Sequence, residues 1–149
     1  MIKRNILASV FLGFGTILFS TLVFAQSSPI EQRQKLMKAN SAASKALKAA
    51  VAEKDFATIE LKAKDIAGNM DKAVGLFPKG STSDKSRALP AIWEKWDDFG
   101  KDATAAKKAA TELAEAASKK DAEGAATKFK ALGGACSDCH KAFRAEKKQ

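Results

Sequence analysis

The final helical segment that the sequence predicts spans residues 121–143 and reads DAEGAATKFKALGGACSDCHKAF. Asp121 is a good N-terminal cap, and apolar or small side chains then recur every three or four residues. The recurring positions are Ala125, Phe129, Leu132, Cys136, Cys139, His140 and Phe143. Both cysteines and the histidine fall on this apolar face, so a group attached to them would face the core.

The motif at residues 136–140, Cys-Ser-Asp-Cys-His, contains every cysteine and every histidine of the chain. C-x-x-C-H is the attachment site of a c-type haem, in which two thiols bond the porphyrin and the histidine ligates the iron. A structural disulfide would leave His140 unused, and a thioredoxin-like dithiol needs a neighbouring strand, for which the sequence shows no pattern. A structural zinc site needs four ligands, and only three cysteines and histidines exist. We therefore predict one covalently bound haem c.

The first 25 residues have the pattern of a cleaved secretory signal. Lys3 and Arg4 precede an uncharged apolar run over residues 6–24, and Ala25 is the small residue that a signal peptidase prefers. The run is also long enough to span a bilayer, so a retained membrane anchor is the alternative. Because bacterial c-type haem is attached outside the inner membrane, export agrees with the haem motif. We expect a periplasmic protein with one domain, residues 26–149.

The chain is basic, and its charge limits the class of partner. The formal net charge is +9, and it falls by two, to +7, when Lys3 and Arg4 are removed. Export argues against nucleic acid as the partner. The lysines are spread along the predicted helices, which is typical of a solvated surface, and an acidic redox protein is the more specific alternative.

Composition and periodicity predict an all-α fold. The chain is rich in alanine and lysine and has no tyrosine, and such sequences favour helices. The first predicted helix opens with a capping box at Ser28 and Glu31, and the second follows a cap at Asp55. The third begins near Pro90, and the fourth is the segment described above. We expect an antiparallel four-helix bundle with covalently attached haem.

Three details of this bundle are also predicted from the pattern. The polar connection at residues 78–89 is long for a bundle, so it either covers a cofactor edge or bridges two distant helix ends. Trp96 follows the core spacing of the third helix, and Trp93 is expected beside that stripe. Gly133 and Gly134 indicate either close approach of a porphyrin or a kink in the last helix.

The chain resembles the class II c-type cytochromes, the cytochrome c′ family, over essentially all of residues 26–149. The similarity rests on the pattern C-x-x-C-H-x-x-F-R at residues 136–144, supported by RQKLMK at residues 33–38 and LPAIW at residues 89–93. In that family the haem motif lies on the last helix of an antiparallel four-helix bundle. A homodimer is a further expectation that rests on this resemblance alone.

His140 is the expected proximal ligand, and Met37 is the residue expected on the other side of the haem, at the family position that faces the distal side. If the Met37 thioether binds the iron, the site is six-coordinate and low-spin, with a potential raised for electron transfer. If Met37 only packs there, the site is five-coordinate and open to NO or CO. The sequence after Gln34 resembles low-spin members, whereas Arg33 is usual in high-spin ones. Met70 is expected to be an ordinary core residue.

Two arginines are further candidates for the haem site. Arg33 lies on the buried face of the first helix, where an arginine needs an anion, and the resemblance implies a haem propionate. The alternative is a surface ion pair with Glu31 or with a neighbouring helix. Arg144 lies one turn after His140, so it either tunes the basicity of the imidazole or is simply a solvated residue.

These features predict a periplasmic one-electron carrier. The first alternative is a five-coordinate protein that binds NO or CO, and the second is a haem-free helical interaction module with a Cys136–Cys139 disulfide. The chain has no Ser-His-Asp set, no phosphate-binding loop and no distal histidine, so it is not expected to be an enzyme.

Overall fold

The computed structural model describes residues 27–146. In this part of the chain there are five α-helices: α1 (Pro29–Glu53), α2 (Phe56–Ala73), α3 (Ala91–Glu94), α4 (Trp96–Ser118) and α5 (Ala122–Phe143). A short 3-10 helix, Val74–Leu76, extends α2. The four long helices form a bundle in which α2 packs on α1 and α4, and α4 packs on α5. The predicted all-α four-helix bundle is confirmed.

The expected secretory signal, residues 1–25, lies outside the described residues. Within residues 27–146, no helix has both the length and the apolar character needed to cross a membrane.

Local hydrogen bonds explain where three of the long helices begin. The Ser28 hydroxyl accepts from the backbone N–H of Glu31 at 3.3 Å, and the Glu31 carboxylate accepts from the N–H of Ser28 at 3.0 Å. The carboxylates of Asp55 and Asp121 each cap the next helix in the same manner. All three caps agree with the sequence prediction, because each depends only on residues three positions apart.

Two tight turns join the long helices in pairs. Lys54 and Lys120 adopt the left-handed conformation, with φ values of 56° and 55°. Each turn is directly followed by the capping aspartate of the next helix, so α1 is joined to α2, and α4 to α5, by only a few residues. Short connections make consecutive helices antiparallel neighbours.

The core consists of alanines interspersed with a few large aliphatic side chains. The alanines concentrate on α4, where seven of them are buried. Alanine allows close approach of helices but removes little apolar surface from water. The largest fully buried side chains are Leu47, Ile59, Ile66, Ile92, Leu113 and Leu132.

The predicted third helix is interrupted, and this reverses the expected placement of the two tryptophans. Lys95 has φ −122° and ψ 50°, outside the helical region, so the turn that forms α3 is separated from α4. Trp93 is partly buried, and its indole N–H donates to the carbonyl oxygens of Phe77 and Pro78, both at 3.1 Å. Trp96 is 41% exposed. The expectation that Trp96 follows the core was wrong, because the two residues do not share one continuous helix.

The glycine pair of α5 lies within a continuous helix, on an exposed side of it. The helix continues through Gly133 and Gly134, so the chain does not break there. Both glycines are exposed, and a Cβ atom added at either would have no neighbouring protein atom within 4 Å. No crowding by the described protein atoms therefore requires glycine at these two positions.

Candidate functional site

One end of the bundle contains a cavity of about 690 Å³. Its wall on α5 includes Cys136, Cys139 and His140, and its wall on α1 includes Met37. The volume lies within the range of roughly 300–1,000 Å³ that is usual for small-molecule and cofactor sites. The structure thus brings the C-x-x-C-H motif and the candidate distal residue to the same space.

The two thiols are free and half-buried in the cavity wall. Burial raises the pKa of Cys136, and burial together with the charge of Asp102 raises the pKa of Cys139 to about 11. A raised pKa leaves both sulfurs protonated at neutral pH, whereas a redox-active dithiol requires a lowered pKa. The environment therefore argues against a thioredoxin-like role.

The imidazole of His140 is held in its neutral form. Burial, followed by the positive charges of Arg144 and Arg87, lowers the pKa of His140 below its usual value. A neutral imidazole is the form that ligates a metal. Arg144 is itself exposed, and it acts on His140 through its charge from the rim of the cavity. Arg144 is therefore solvated, as one alternative predicted, and its charge also affects the basicity of His140, as the other predicted.

A cluster of aromatic side chains packs against the last turn of α5, next to the C-x-x-C-H motif. Phe143 packs edge-on against Phe99, with ring centroids 5.4 Å apart, and Phe99 packs edge-on against Phe77 at 4.8 Å. Cys139 lies against this cluster. The last turn of α5 is therefore fixed by contacts with α4 and with the end of the 3-10 helix.

Met37 is not the only methionine at the cavity. Met37 is partly buried, whereas Met70 on α2 is 9% exposed, and both line the cavity wall. The Asn40 amide nitrogen lies 3.5 Å from the Met70 sulfur and donates to it, while Asn40 accepts from Asn69 at 2.8 Å. Met70 is buried as expected, and its contact with Asn40 was not foreseen from the sequence.

Arg33 is buried, with 3% of its surface exposed. Its guanidinium donates to the carbonyl oxygen of Leu76 (3.2 Å), to the hydroxyl and carbonyl oxygens of Ser81 (2.7 and 2.6 Å) and to the Ser86 hydroxyl (2.9 Å). Glu31 is engaged in its capping box, so the predicted surface ion pair with it is not formed. Burial lowers the pKa of Arg33, as expected for a cation without a carboxylate partner.

The remaining wall is formed by the connection between the 3-10 helix and α3, residues 77–90, which we call the cavity loop. Five of its residues line the cavity, namely Phe77 and the four at positions 85–88. Of the two predicted alternatives for this long connection, the structure supports the one in which it covers the edge of the site.

Basic side chains surround the cavity, and none of the described residues that line it is acidic. The basic residues are Arg33, Lys38, Lys85, Arg87 and Arg144. Among the ion pairs of residues 27–146, none involves Arg33. A buried cation beside other cations is unfavourable unless an anion is supplied from outside the protein chain. Lys85 and Arg87, which lie on the cavity loop, could not be assigned to the site from sequence alone.

These observations test whether the residues present fit a haem c. Two protonated thiols, a neutral imidazole, an apolar wall and a basic rim match a porphyrin with its iron and two propionates. The part of the chain that the structure describes has no group of three or more His, Cys, Asp and Glu residues suited to a bare metal ion. The fold and the cavity define a class: helical-bundle proteins that bind haem through C-x-x-C-H.

Comparison with known proteins identifies the family within this class. The sequence profile described as cytochrome c′ matches residues 28–144, and the chain belongs to the cytochrome c′ family. It is 35% identical over 118 residues to cytochrome c′ of Pararhodospirillum photometricum, covering 77% of this chain and 94% of that protein. It is 37% identical over 122 residues to cytochrome c-556 of Agrobacterium fabrum, covering 79% and 82% respectively.

Solved structures agree with this assignment. Cytochrome c′ from Thermochromatium tepidum superposes with a TM-score of 0.74 at 28% identity, over 82% of this chain and all of that one. As a family member, the chain carries one covalently attached haem c, which rules out the haem-free module. Cytochrome c′ proteins are periplasmic haem proteins of electron transfer and gas binding.

Proposed function

We propose that this chain is a five-coordinate haem protein that binds a small gas such as NO or CO. Cys136 and Cys139 hold the haem covalently, and the imidazole of His140 ligates the iron. Met37, which lines the same cavity, would remain unbonded to the iron. When bound, the haem supplies an iron centre that exchanges one electron and accepts a diatomic ligand. The observation that carries this proposal is the match to the cytochrome c′ family over residues 28–144, together with the cavity that both His140 and the partly buried Met37 line.

The remaining wall residues give the site its selectivity and its orientation. The charge of Arg33, which no carboxylate of residues 27–146 neutralises, favours the propionates at that side of the cavity. The apolar part of the wall, which includes Met37, Met70, Ala73, Ala103 and Ala106, favours a neutral diatomic gas over a hydrated anion. Each of these residues acts by position and charge, and none transfers a proton or a group.

The visible spectrum of the ferrous protein tests this assignment. We expect a high-spin spectrum that changes to a low-spin one when CO is added. Haem staining after denaturation should be retained in the wild type and lost when both Cys136 and Cys139 are replaced by alanine. A ferrous spectrum that is already low-spin without CO would reject the five-coordinate proposal.

The second candidate function is a one-electron carrier in which the Met37 sulfur ligates the iron. It is favoured by the position of Met37 on the same cavity as His140. A His/Met pair raises the reduction potential and suits transfer to a redox partner. The basic rim of the cavity would favour an acidic partner protein, and binding would then weaken with added salt.

A homodimer is proposed on the basis of a relative. A structure that is 32% identical, with a TM-score of 0.73, is described as a cytochrome c′ with ligand-controlled dimer dissociation. Size-exclusion chromatography of the ferrous protein with and without CO tests whether this chain also dimerises and responds to the ligand. A monomer at all concentrations would reject the dimer without affecting the haem assignment.

A further inference from the structure

The first part of the cavity loop is fastened to α1. Arg33 makes four hydrogen bonds to residues 76–86, and its guanidinium lies over the Phe77 ring, 4.6 Å from the centroid. The neighbouring Gln34 donates to the Lys85 carbonyl oxygen at 2.6 Å. Hydrogen bonds to a charged group are stronger than neutral ones, and a planar guanidinium fixes the direction of each. Arg33 therefore holds the loop in one defined arrangement.

The second part of the same loop is fastened to the end of α5. The N–H of Leu89 donates to the Phe143 carbonyl oxygen at 3.0 Å, and the N–H of Ala145 donates to the Arg87 carbonyl oxygen at 2.8 Å. These bonds accompany an isolated antiparallel bridge between Ala88 and Arg144. The loop is thus paired with backbone that directly follows the haem motif.

The cavity loop is consequently a tie between two helices that have little direct contact. α1 packs mainly on α2, and α5 packs mainly on α4. The tie reaches α1 at Arg33, one helical turn before Met37, and it reaches α5 one turn beyond His140. The tie is therefore one of the connections that join the helix that carries Met37 to the helix that carries the motif.

We propose that Arg33 is a positioning residue: by clamping the cavity loop to α1, it fixes how closely Met37 approaches the open coordination position of the iron. This inference rests on the proposed haem function and adds a control on ligand access. Met37 remains the group that restricts entry, and Arg33 acts only through it. When the clamp is loosened, Met37 moves more freely and small ligands enter faster.

The test uses the complete haem-containing protein and two independent ways of loosening the clamp. Arg33→Lys keeps the positive charge but loses the planar fork, so it separates clamping from charge. The double substitution Ser81→Ala/Ser86→Ala removes two acceptors and leaves Arg33 in place. The matched control is Ser83→Ala on the same loop, because the Ser83 side chain is exposed and takes no part in the hydrogen bonds of the described residues.

We expect both clamp variants to bind CO faster in the ferrous state, by about tenfold, which corresponds to loss of one charged hydrogen bond. Amide exchange should also quicken in the loop and in the first turns of α1, a readout that does not depend on haem. The control should match the wild type. In a Met37→Ala background the clamp substitutions should have no further effect on CO binding, since coupled residues are non-additive.

Three results would overturn the clamp. These are CO association rates equal to the wild type in both variants, the same acceleration in the Met37→Ala background, or acceleration in Ser83→Ala. If Arg33→Lys fails to fold, the double serine variant decides alone, because each of its changes is a single hydroxyl deletion. Failure of the proposed function looks different: the wild-type protein itself would then lack covalent haem on staining or would fail to bind CO.

Discussion

At the scale of single residues, the most informative contrast is between the two cavity methionines. They carry the same chemical group and line the same space, but the Met70 sulfur accepts a hydrogen bond from Asn40 whereas Met37 projects from the less buried part of α1. An engaged, buried thioether is a packing residue, and a partly buried one beside the motif is placed to meet a ligand. Met70 is buried as predicted, and the role of Met37 at the haem, which the family resemblance implies, stays a prediction.

Met37→Ala is expected to raise the rate of CO association with the ferrous protein by roughly an order of magnitude, because it removes a side chain from the path of the ligand. The measurement is stopped-flow mixing with CO. The matched change, Met70→Ala, should leave the spin state unaltered and lower the free energy of unfolding by about 2–5 kcal/mol. If Met70→Ala accelerated CO association and Met37→Ala did not, the two roles would have to be exchanged.

At the scale of helices, the glycine pair of α5 offers a direct test of where the haem lies. Gly133→Ala and Gly134→Ala should each raise the free energy of unfolding of the haem-containing protein by about 0.5–1 kcal/mol, because both sites are helical, exposed and uncrowded. Urea unfolding measures the change.

Gly80→Ala is the control for this experiment, because Gly80 has a φ of +77°. An alanine there must adopt a left-handed conformation and should destabilise the protein by about 1–2 kcal/mol. Loss of haem attachment on Gly133→Ala would show that the porphyrin lies against that face of α5, contrary to the placement of Cys136 and Cys139 on the cavity side.

Helix ends were predictable where their cause is local. Ser28, Asp55 and Asp121 each bond to a backbone N–H three residues ahead, so a short window of sequence contains the whole interaction. The interruption at Lys95 was not predictable, since Trp93 beside it bonds to carbonyl groups 15 and 16 residues away. The periodic core positions of the third helix were assigned on the assumption of one continuous helix, so they could not indicate the interruption at Lys95.

In the candidate site too, interactions within a short stretch of sequence were predictable, and interactions between distant residues were not. The C-x-x-C-H motif is readable because its chemistry lies within five consecutive residues of one helix. The partners of Arg33 lie 43, 48 and 53 residues away, on a loop without regular periodicity. The sequence predicted that Arg33 lies on a buried face and needs an anion, but it did not indicate the hydroxyl and carbonyl groups to which Arg33 donates.

At the scale of the whole molecule, the haem is expected to complete the core. A cavity of about 690 Å³ at one end of an alanine-rich bundle leaves little apolar surface buried there by the protein itself. Helical segments form by local contacts, but fixed side-chain packing around the cavity requires the haem.

We therefore expect the double variant Cys136→Ala/Cys139→Ala, prepared without haem, to lose most of its near-UV circular dichroism. Far-UV circular dichroism of the same sample serves as the control, because residual helix should persist after tertiary packing is lost. A native-like near-UV spectrum would show that the bundle packs without its cofactor.

The tight turns at Lys54 and Lys120 influence the order in which the helices assemble. Each closes a hairpin of two long helices whose contacts are near in sequence, and such contacts form fast. Since a chain is synthesised from its N-terminus, the α1–α2 hairpin can assemble while the α4–α5 hairpin is still incomplete. Cys136 and Cys139 lie on the hairpin that is synthesised second, so haem attachment depends on the part of the bundle that assembles later.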